Sequence, residues 1–435
     1  MPNGAATAHL LHPKLSTTLR EGYGLEDLRK DALAGLTVAI VALPLSMAIA
    51  VASGVGPERG VATAVVGGFV VSALGGTRYQ IGGPAGAFIV LVAATVSRFG
   101  IEGLLLTVLM SGLMLTLLGL LRLGGLIRHI PHAVTVGFTG AIAVTILASQ
   151  LKDLGGLTLA GPEPGPLLPK LAALVQALPT VHPASVLTGV AVAGLIFWLR
   201  RVRPTWPGML IAVVLASLVA AAPHVGLETV GDRFGAMPRG LPMPRLPAMS
   251  WRLALAVLPA AISFTLLGAV ESLLSAKVAD SMTGRVHRSS MELIAQGLAN
   301  VASPMFGGVS VTGTIARTAT NIRAGARSPL AGIFHAVFLL AFILVAGSLA
   351  GFVPLAALAG VLVVVAWNMA EKAEFIRLLR DWRGPGAVLA ATFGLTLVKD
   401  LTTGILAGCA VAVVLAVAKR VRAGRGPRST QRPSL

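Results

Sequence analysis

Residues 104–121 read LLLTVLMSGLMLTLLGLL and residues 336–351 read AVFLLAFILVAGSLAG, and neither run holds a charge. Each has about the length a helix needs to cross the hydrocarbon core of a bilayer. Similar runs recur along the 435 residues, of which 55% are hydrophobic and 12% charged. A soluble domain carries roughly 25% charged residues. At a mean hydropathy of +0.83, no water-soluble fold of this size hides so much apolar surface. The bilayer is therefore part of the solvent. The runs do not alternate polar and apolar residues as barrel strands would. The fold class expected is an all-α polytopic membrane protein.

Fourteen spans are expected, at 32–52, 60–75, 84–97, 103–121, 133–151, 184–199, 207–222, 253–277, 291–305, 312–324, 328–348, 354–370, 385–398 and 402–419. Pro- and Gly-rich linkers, GPEPGPLLP at 161–169 and MPRGLPMPRLP at 237–247, punctuate them. The expected organisation is a cytoplasmic segment 1–31, seven spans in 32–222, seven in 253–420 and a basic tail 421–435. An even number of spans puts both termini on one side. On that topology 25 of the 35 Lys and Arg fall on the side of the termini, nine on the opposite side, and Arg317 in neither. This bias places the termini in the cytoplasm of a cell whose plasma (inner) membrane holds the chain. It also makes the net charge of +18 a topology signal rather than a sign of nucleic acid.

The first apolar run begins near Ala32, too far in for a cleavable signal peptide. The single cysteine, Cys409, excludes a disulfide framework within the chain and a multi-Cys metal site. Histidines 9, 12, 129, 132, 182, 224, 287 and 335 show no metal spacing, and His335, inside a span, reads as a satisfied packing residue. No phosphate-cradling Gly-x-x-x-x-Gly-Lys motif occurs, so ATP has no support as an energy source. No nucleophile–base or metal constellation suggests an enzyme. No cofactor is expected beyond a driving ion, with a proton gradient first and sodium left open.

Two stretches look like broken helices. In RYQIGGPAGAFIVLVA, residues 78–93, Tyr79 to Ile81 reads as extended, and Pro84 suits the first turn of a helix begun by Ala85, Gly86 and Ala87. In VSVTGTIARTATNIRAG, residues 309–325, Val309 to Val311 reads as extended, Thr312 or Thr314 caps a helix, and Gly325 ends it. Each helix is too short to cross alone. Two half-helices starting near the midplane fit, because exposed backbone there must be surrounded by protein or a watery cavity. A helix N-terminus offers unpaired N–H groups and partial positive charge, which suits an anion. The pair stands third in each set of seven, the pattern of a transporter built from inverted repeats. The plainer alternatives are a tight turn before a short helix and a polar loop.

These residues resemble a known family. VTGTIARTATNIRAGARSPLAG (311–332) is similar to the tenth-span signature of the sulfate permease family, whose animal relatives include prestin and pendrin. IGGPAGAFIVLVA (81–93) resembles its third-span motif, LPLSMAIA (43–50) the first, VESLLSAKVADSMTG (270–284) the eighth and VVAWNMAE (364–371) the twelfth. The resemblance implies fourteen segments in two inverted sevens, with a core domain (segments 1–4 and 8–11) and a gate domain (5–7 and 12–14). It implies secondary anion transport by an elevator-like movement in a homodimer. The motifs look most like those of bacterial members that couple C4-dicarboxylates such as fumarate to protons. Alternatives are carriage or exchange of sulfate, bicarbonate or chloride, and an anion channel or voltage-responsive motor. Two departures stand out. Leu45 follows Pro44 where the family usually has Gln, with Ile49 in an aromatic place. The soluble STAS domain with which the family normally ends is not expected in this chain.

The anion site is expected between the half-helix starts: Gly83, Pro84, Ala85 and Gly86 on one side, Thr312, Gly313 and Thr314 on the other. By resemblance Phe88 walls the pocket; otherwise it is a packing aromatic. Ser46 adds a hydroxyl beside a break at Pro44, or bonds back to its own helix. Arg317 is the fixed cation facing the anion, or the structural partner of an acid. Glu271 reads as the deepest acid, and is either the proton-coupling site or an ion-pair partner of Arg317 or Lys277.

Overall fold

The computed structural model describes residues 11–127, 131–161, 163–164, 167–204, 206–222, 225–382, 384–399 and 401–424. His9, His129, His224 and residues 425–435 of the expected basic tail lie outside the described residues. The chain is mostly helical. A short α1 (Lys14–Arg20) precedes α2 (Leu25–Ala52) and α3 (Pro57–Leu74), the last opened by a proline in its first turn. A two-residue strand β1 (Gly82–Gly83) and a 3-10 turn at Gly86–Phe88 lead into α4 (Ile89–Leu120). Then come α5 (His132–Gly155), α6 (Pro183–Val202) and α7 (Gly208–Ala220).

The second part holds α8 (Trp251–Thr283), α9 (Ser289–Met305), β2 (Thr312–Gly313), α10 (Ile315–Arg323), α11 (Leu330–Ala346), α12 (Leu355–Met369), α13 (Lys372–Leu379), α14 (Pro385–Val398) and α15 (Leu401–Gly424). At the start of α8 the Ser250 hydroxyl accepts the Leu253 N–H at 3.2 Å, and Gly284 ends the helix in the left-handed region. A helix covers each of the fourteen expected stretches, two of them the arms of α4 on either side of a kink at Gly100 (φ 68°). Seven helical segments among the described residues are long and apolar enough to cross a membrane alone.

Three boundaries differ from expectation. The helix after the first break begins at Gly86, because Ala85 is still extended at φ −121° and Pro84 precedes it. Helix α2 runs unbroken through Pro44. The chain is not purely helical, since β1 and β2 pair antiparallel, Gly82 against Gly313 and Gly83 against Thr312.

Contacts divide the chain into two compact units, one of Met1–His129 and Thr145–Asn368 and one of Ile130–Val144 and Met369–Leu435. This differs from the expected core and gate. Helix α7 packs on α2, and α6 meets α12, where a methyl on Gly360 would fall 2.6 Å from the Gly189 carbonyl oxygen. Segments 6, 7 and 12 therefore join the first unit. In that unit α4 and α9 touch backbone to backbone: a methyl at Gly112 would fall 2.7 Å from both the Gly297 oxygen and the Val301 nitrogen. Small residues permit such close approach where water drives nothing together. In the second unit Phe375 and Phe393 meet edge to face with ring centroids 5.1 Å apart, and His132 Nε2 lies 3.0 Å from Glu374 Oε1.

Candidate functional site

The two extended stretches carry backbone groups far from any helix ladder. Buried N–H and C=O groups need partners, and here side chains of the flanking helices supply them. Asn300 of α9 donates to the Val311 carbonyl at 2.7 Å and accepts the Val311 N–H at 2.9 Å, an amide standing in for a neighbouring strand. The Ser303 hydroxyl donates to the Val309 carbonyl at 2.7 Å, and the Thr63 hydroxyl accepts the Val309 N–H at 2.7 Å. Gln80 donates to the Ser272 carbonyl at 3.2 Å, and Asn321 donates to the Tyr79 carbonyl at 2.9 Å. Thr318 accepts from the Ile81 N–H at 3.3 Å and lies 3.2 Å from the Ser275 hydroxyl.

Glycine is needed where β1 and β2 meet. A methyl on Gly313 would fall 1.7 Å from Gln80 Nε2, and one on Gly83 would fall 1.9 Å from Arg317 Nη1. The guanidinium of Arg317 therefore lies against the Gly83 backbone, at the mouth of α10. Arg317 is 2% exposed. Its Nη2 donates to the Ser46 hydroxyl at 3.1 Å, while Nε and Nη1 have no hydrogen-bond partner. Thr312 Oγ1, Thr314 Oγ1, Gln80 Oε1 and Asn321 Oδ1 are likewise buried and unpartnered. A cluster of this kind costs several kcal/mol unless something polar fills it.

The expected residues fall as follows. Gly83, Thr312, Gly313, Thr314 and Arg317 come together at the strand crossing, with Ser46 joined through Arg317. The Ser46 hydroxyl donates back to the Ala42 carbonyl at 2.7 Å, the second of its readings, and no break at Pro44 accompanies it. Pro84, Ala85 and Gly86 form the extended link and first turn after β1. Phe88 is buried and packs on Phe264, centroids 5.4 Å apart. Thr314 occupies the N-cap position of α10, yet no side-chain cap bond forms, so neither threonine closes the helix end as expected. Glu271 is buried in α8, directly before Ser272. Asp31 and Glu292, nearer helix starts, are also fully buried. Asp31 accepts from Tyr23, from the Ser328 hydroxyl and from the N–H groups of Arg327 and Ser328. Glu292 accepts from Gly76, Thr77 and Gln296.

Sequence reasoning missed Gln80, Asn300, Thr318 and Asn321. Their signal was present: amides and hydroxyls inside or just before the expected spans. It also misjudged His335, which is packed with no exposure but has no partner on either ring nitrogen. A cavity of about 710 Å³ opens elsewhere, beside Arg59, Met237, Arg245 and Phe306, and none of the cluster residues lines it.

The sulfate permease family model matches residues 28–391. Over 418 residues the chain is 41% identical to the "Putative sulfate transporter YvdB" of Bacillus subtilis (strain 168), covering 95% of this chain and 78% of the relative. It is 32% identical over 405 residues to the "Bicarbonate transporter BicA" of Picosynechococcus sp., covering 90% of this chain and 70% of the relative. The solved transmembrane domain of a cyanobacterial bicarbonate transporter BicA superposes with a TM-score of 0.78 at 30% identity, over 91% of this chain and all of that one. The overall structure of SLC26A9 shares the fold at a TM-score of 0.86 and 19% identity, over 95% of this chain and 69% of that one. With a family model spanning most of its length and a backbone that follows a solved relative, this chain belongs to the sulfate permease family of anion transporters.

Proposed function

We propose that the chain is a secondary active carrier of one compact oxyanion, with sulfate and bicarbonate the first substrates to test. The observation that supports this is Arg317, a sealed guanidinium with two free nitrogens beside the unpartnered hydroxyls of Thr312 and Thr314. Its planar fork matches two oxygens of one anion head. The names of the relatives point the same way. A C4-dicarboxylate carries a second carboxylate. Of the other described buried cations, Arg78 stands at the start of the same extended stretch and is already paired with Glu21. The dicarboxylate expectation thus has less support than the inorganic alternative.

The mechanism follows from the inverted-repeat reading of fourteen segments. Anion on the strand crossing moves with the helices that hold it, in an elevator-like step within a homodimer in the plasma membrane. Glu271, buried beside Ser272, is the carboxyl proposed to take the driving ion, a proton before sodium. Labelled sulfate, bicarbonate and fumarate are offered to proteoliposomes under an inward proton gradient, a sodium gradient or none. Gradient-driven uptake of sulfate or bicarbonate, lost in Glu271→Gln, is expected. Fumarate carried in preference to both overturns the compact-oxyanion reading. Uptake of every anion at equal rates without any gradient overturns secondary transport in favour of a channel.

A further inference from the structure

His335 lies on α11, on the side of β1 where α3 packs. A methyl on Gly68 of α3 would fall 3.3 Å from His335 Nδ1 and 3.2 Å from the Gly82 carbonyl oxygen. One turn earlier on α11, a methyl on Gly332 would fall 2.0 Å from Ser72 Oγ. The imidazole and the Gly82 backbone thus both border Gly68 behind the strand crossing, and Ser72 lies against Gly332 one turn away on the same helix. His335 Nδ1, His335 Nε2 and Ser72 Oγ are all buried without a partner there. A neutral imidazole always presents one donor and one acceptor. Leaving both unmet is the arrangement expected of a group whose partner is transient rather than built in.

The charges near His335 are few. On α2 they stand in its first turns, from Glu26 to Asp31, and Asp31 is fully engaged by Tyr23, Arg327 and Ser328. On α3 they are Glu58 and Arg59, at the far end of the helix. Helix α10 carries Arg323 in its last turn and Arg317 in its first, and Arg317 lies against Gly83, the residue after Gly82.

We propose that His335 is a second proton site, apart from the driving ion on Glu271: an anion seated on Arg317 is accompanied by a proton on the His335 imidazole. This rests on the reading of Arg317 as the anion's cation. With the site empty, an imidazolium would stand against an uncompensated guanidinium in a medium of low dielectric. An anion on Arg317 cancels that repulsion, and by linkage a proton on His335 strengthens anion binding by the same factor. The proton comes from bulk water, leaving both ring nitrogens as donors.

Purified protein carrying Glu271→Gln, whose driving-ion carboxyl takes no proton, is titrated with sulfate in weakly buffered detergent; sulfate keeps its charge across the range used. About one proton is expected to be taken up per sulfate bound. The apparent affinity should fall by up to about tenfold for each unit of rising pH. In ¹⁵N-histidine-labelled protein, one imidazole should pass from neutral to imidazolium on sulfate addition, and that resonance should be missing from His335→Gln. His335→Gln added to this background, or His335→Asn if the first misfolds, should bind sulfate with no proton uptake and a flat pH profile. Sulfate binding without proton uptake in Glu271→Gln alone, or uptake retained after either His335 replacement, overturns the inference and leaves the anion site standing. A wild type that binds neither sulfate nor bicarbonate overturns the anion site, and this inference with it.

Discussion

Arg317 concentrates the energetics of the cluster in one side chain. It is sealed from water, and two of its nitrogens await acceptors. Hydrogen bonds to a charged group contribute about 1.5–3 kcal/mol each. Arg317→Gln should therefore weaken sulfate binding by roughly tenfold to a hundredfold in calorimetry. Arg317→Lys should recover little of it, because an ammonium keeps the charge but not the planar fork. A lysine variant that binds like the wild type would show that charge alone, and not geometry, selects the anion. Threonines 312 and 314 show where reading the sequence stops. A threonine before a short polar helix reads as a cap, and Thr314 does sit at that position. Whether its hydroxyl is spent on the helix end is decided by what else is near, which local sequence does not encode.

At the scale of elements, the two half-helices depend on side chains imitating a sheet. Asn300 alone holds both the N–H and the C=O of Val311. Asn300→Ala leaves two buried backbone groups unpaired, at about 1–3 kcal/mol each. Its melting temperature in detergent should drop by several degrees, with sulfate binding falling in step; an unchanged melting curve would mean water replaces the amide. The extended stretches themselves were legible, because Gly-Gly-Pro and Gly-Gly before polar residues interrupt runs that otherwise never stop. Their pairing was not. It falls at 82–83 and 312–313, just after the expected residues, since register is set where glycines let two backbones touch.

A second element, α1, docks outside the spans. The Lys14 N–H donates to the Gly75 carbonyl at 2.9 Å, and Arg288 donates to the His12 carbonyl at 2.8 Å. Burial first, then the positive charges of Arg288 and Arg78, push the Lys14 ammonium down to about 8. Docked, Lys14 holds fewer protons than when free. Docking should therefore strengthen as pH rises from about 8 to the free value of 10.5, and be weakest below 8. Hydrogen exchange across residues 14–20 at several pH values reads this directly, and Lys14→Met should remove the trend.

For the whole molecule, the sequence carried the class of fold and nearly every helix, because bilayer thickness and charge bias act on composition alone. It did not carry the grouping of helices, which depends on contacts such as Gly189 with Gly360 between segments far apart in the chain. Orientation can be tested in a cysteine-free background, since Cys409 is the one cysteine. In Cys409→Ala, Ser16→Cys should react with an impermeant maleimide only from the cytoplasmic side, and Met249→Cys, at a position 66% exposed, only from outside. Labelling of both from the same side would refute the even-numbered topology.

The fit of Arg317 against Gly83 also restricts how such a protein can vary. The guanidinium occupies the volume that any side chain at position 83 would need. These two positions, distant in the chain, should therefore be inherited as a single unit. A lineage that gains a methyl at 83 must first shorten or withdraw the group at 317, and in doing so it gives up its cation. Substrate preference in this scaffold should therefore change by paired replacements, with the single steps between them the least functional of all.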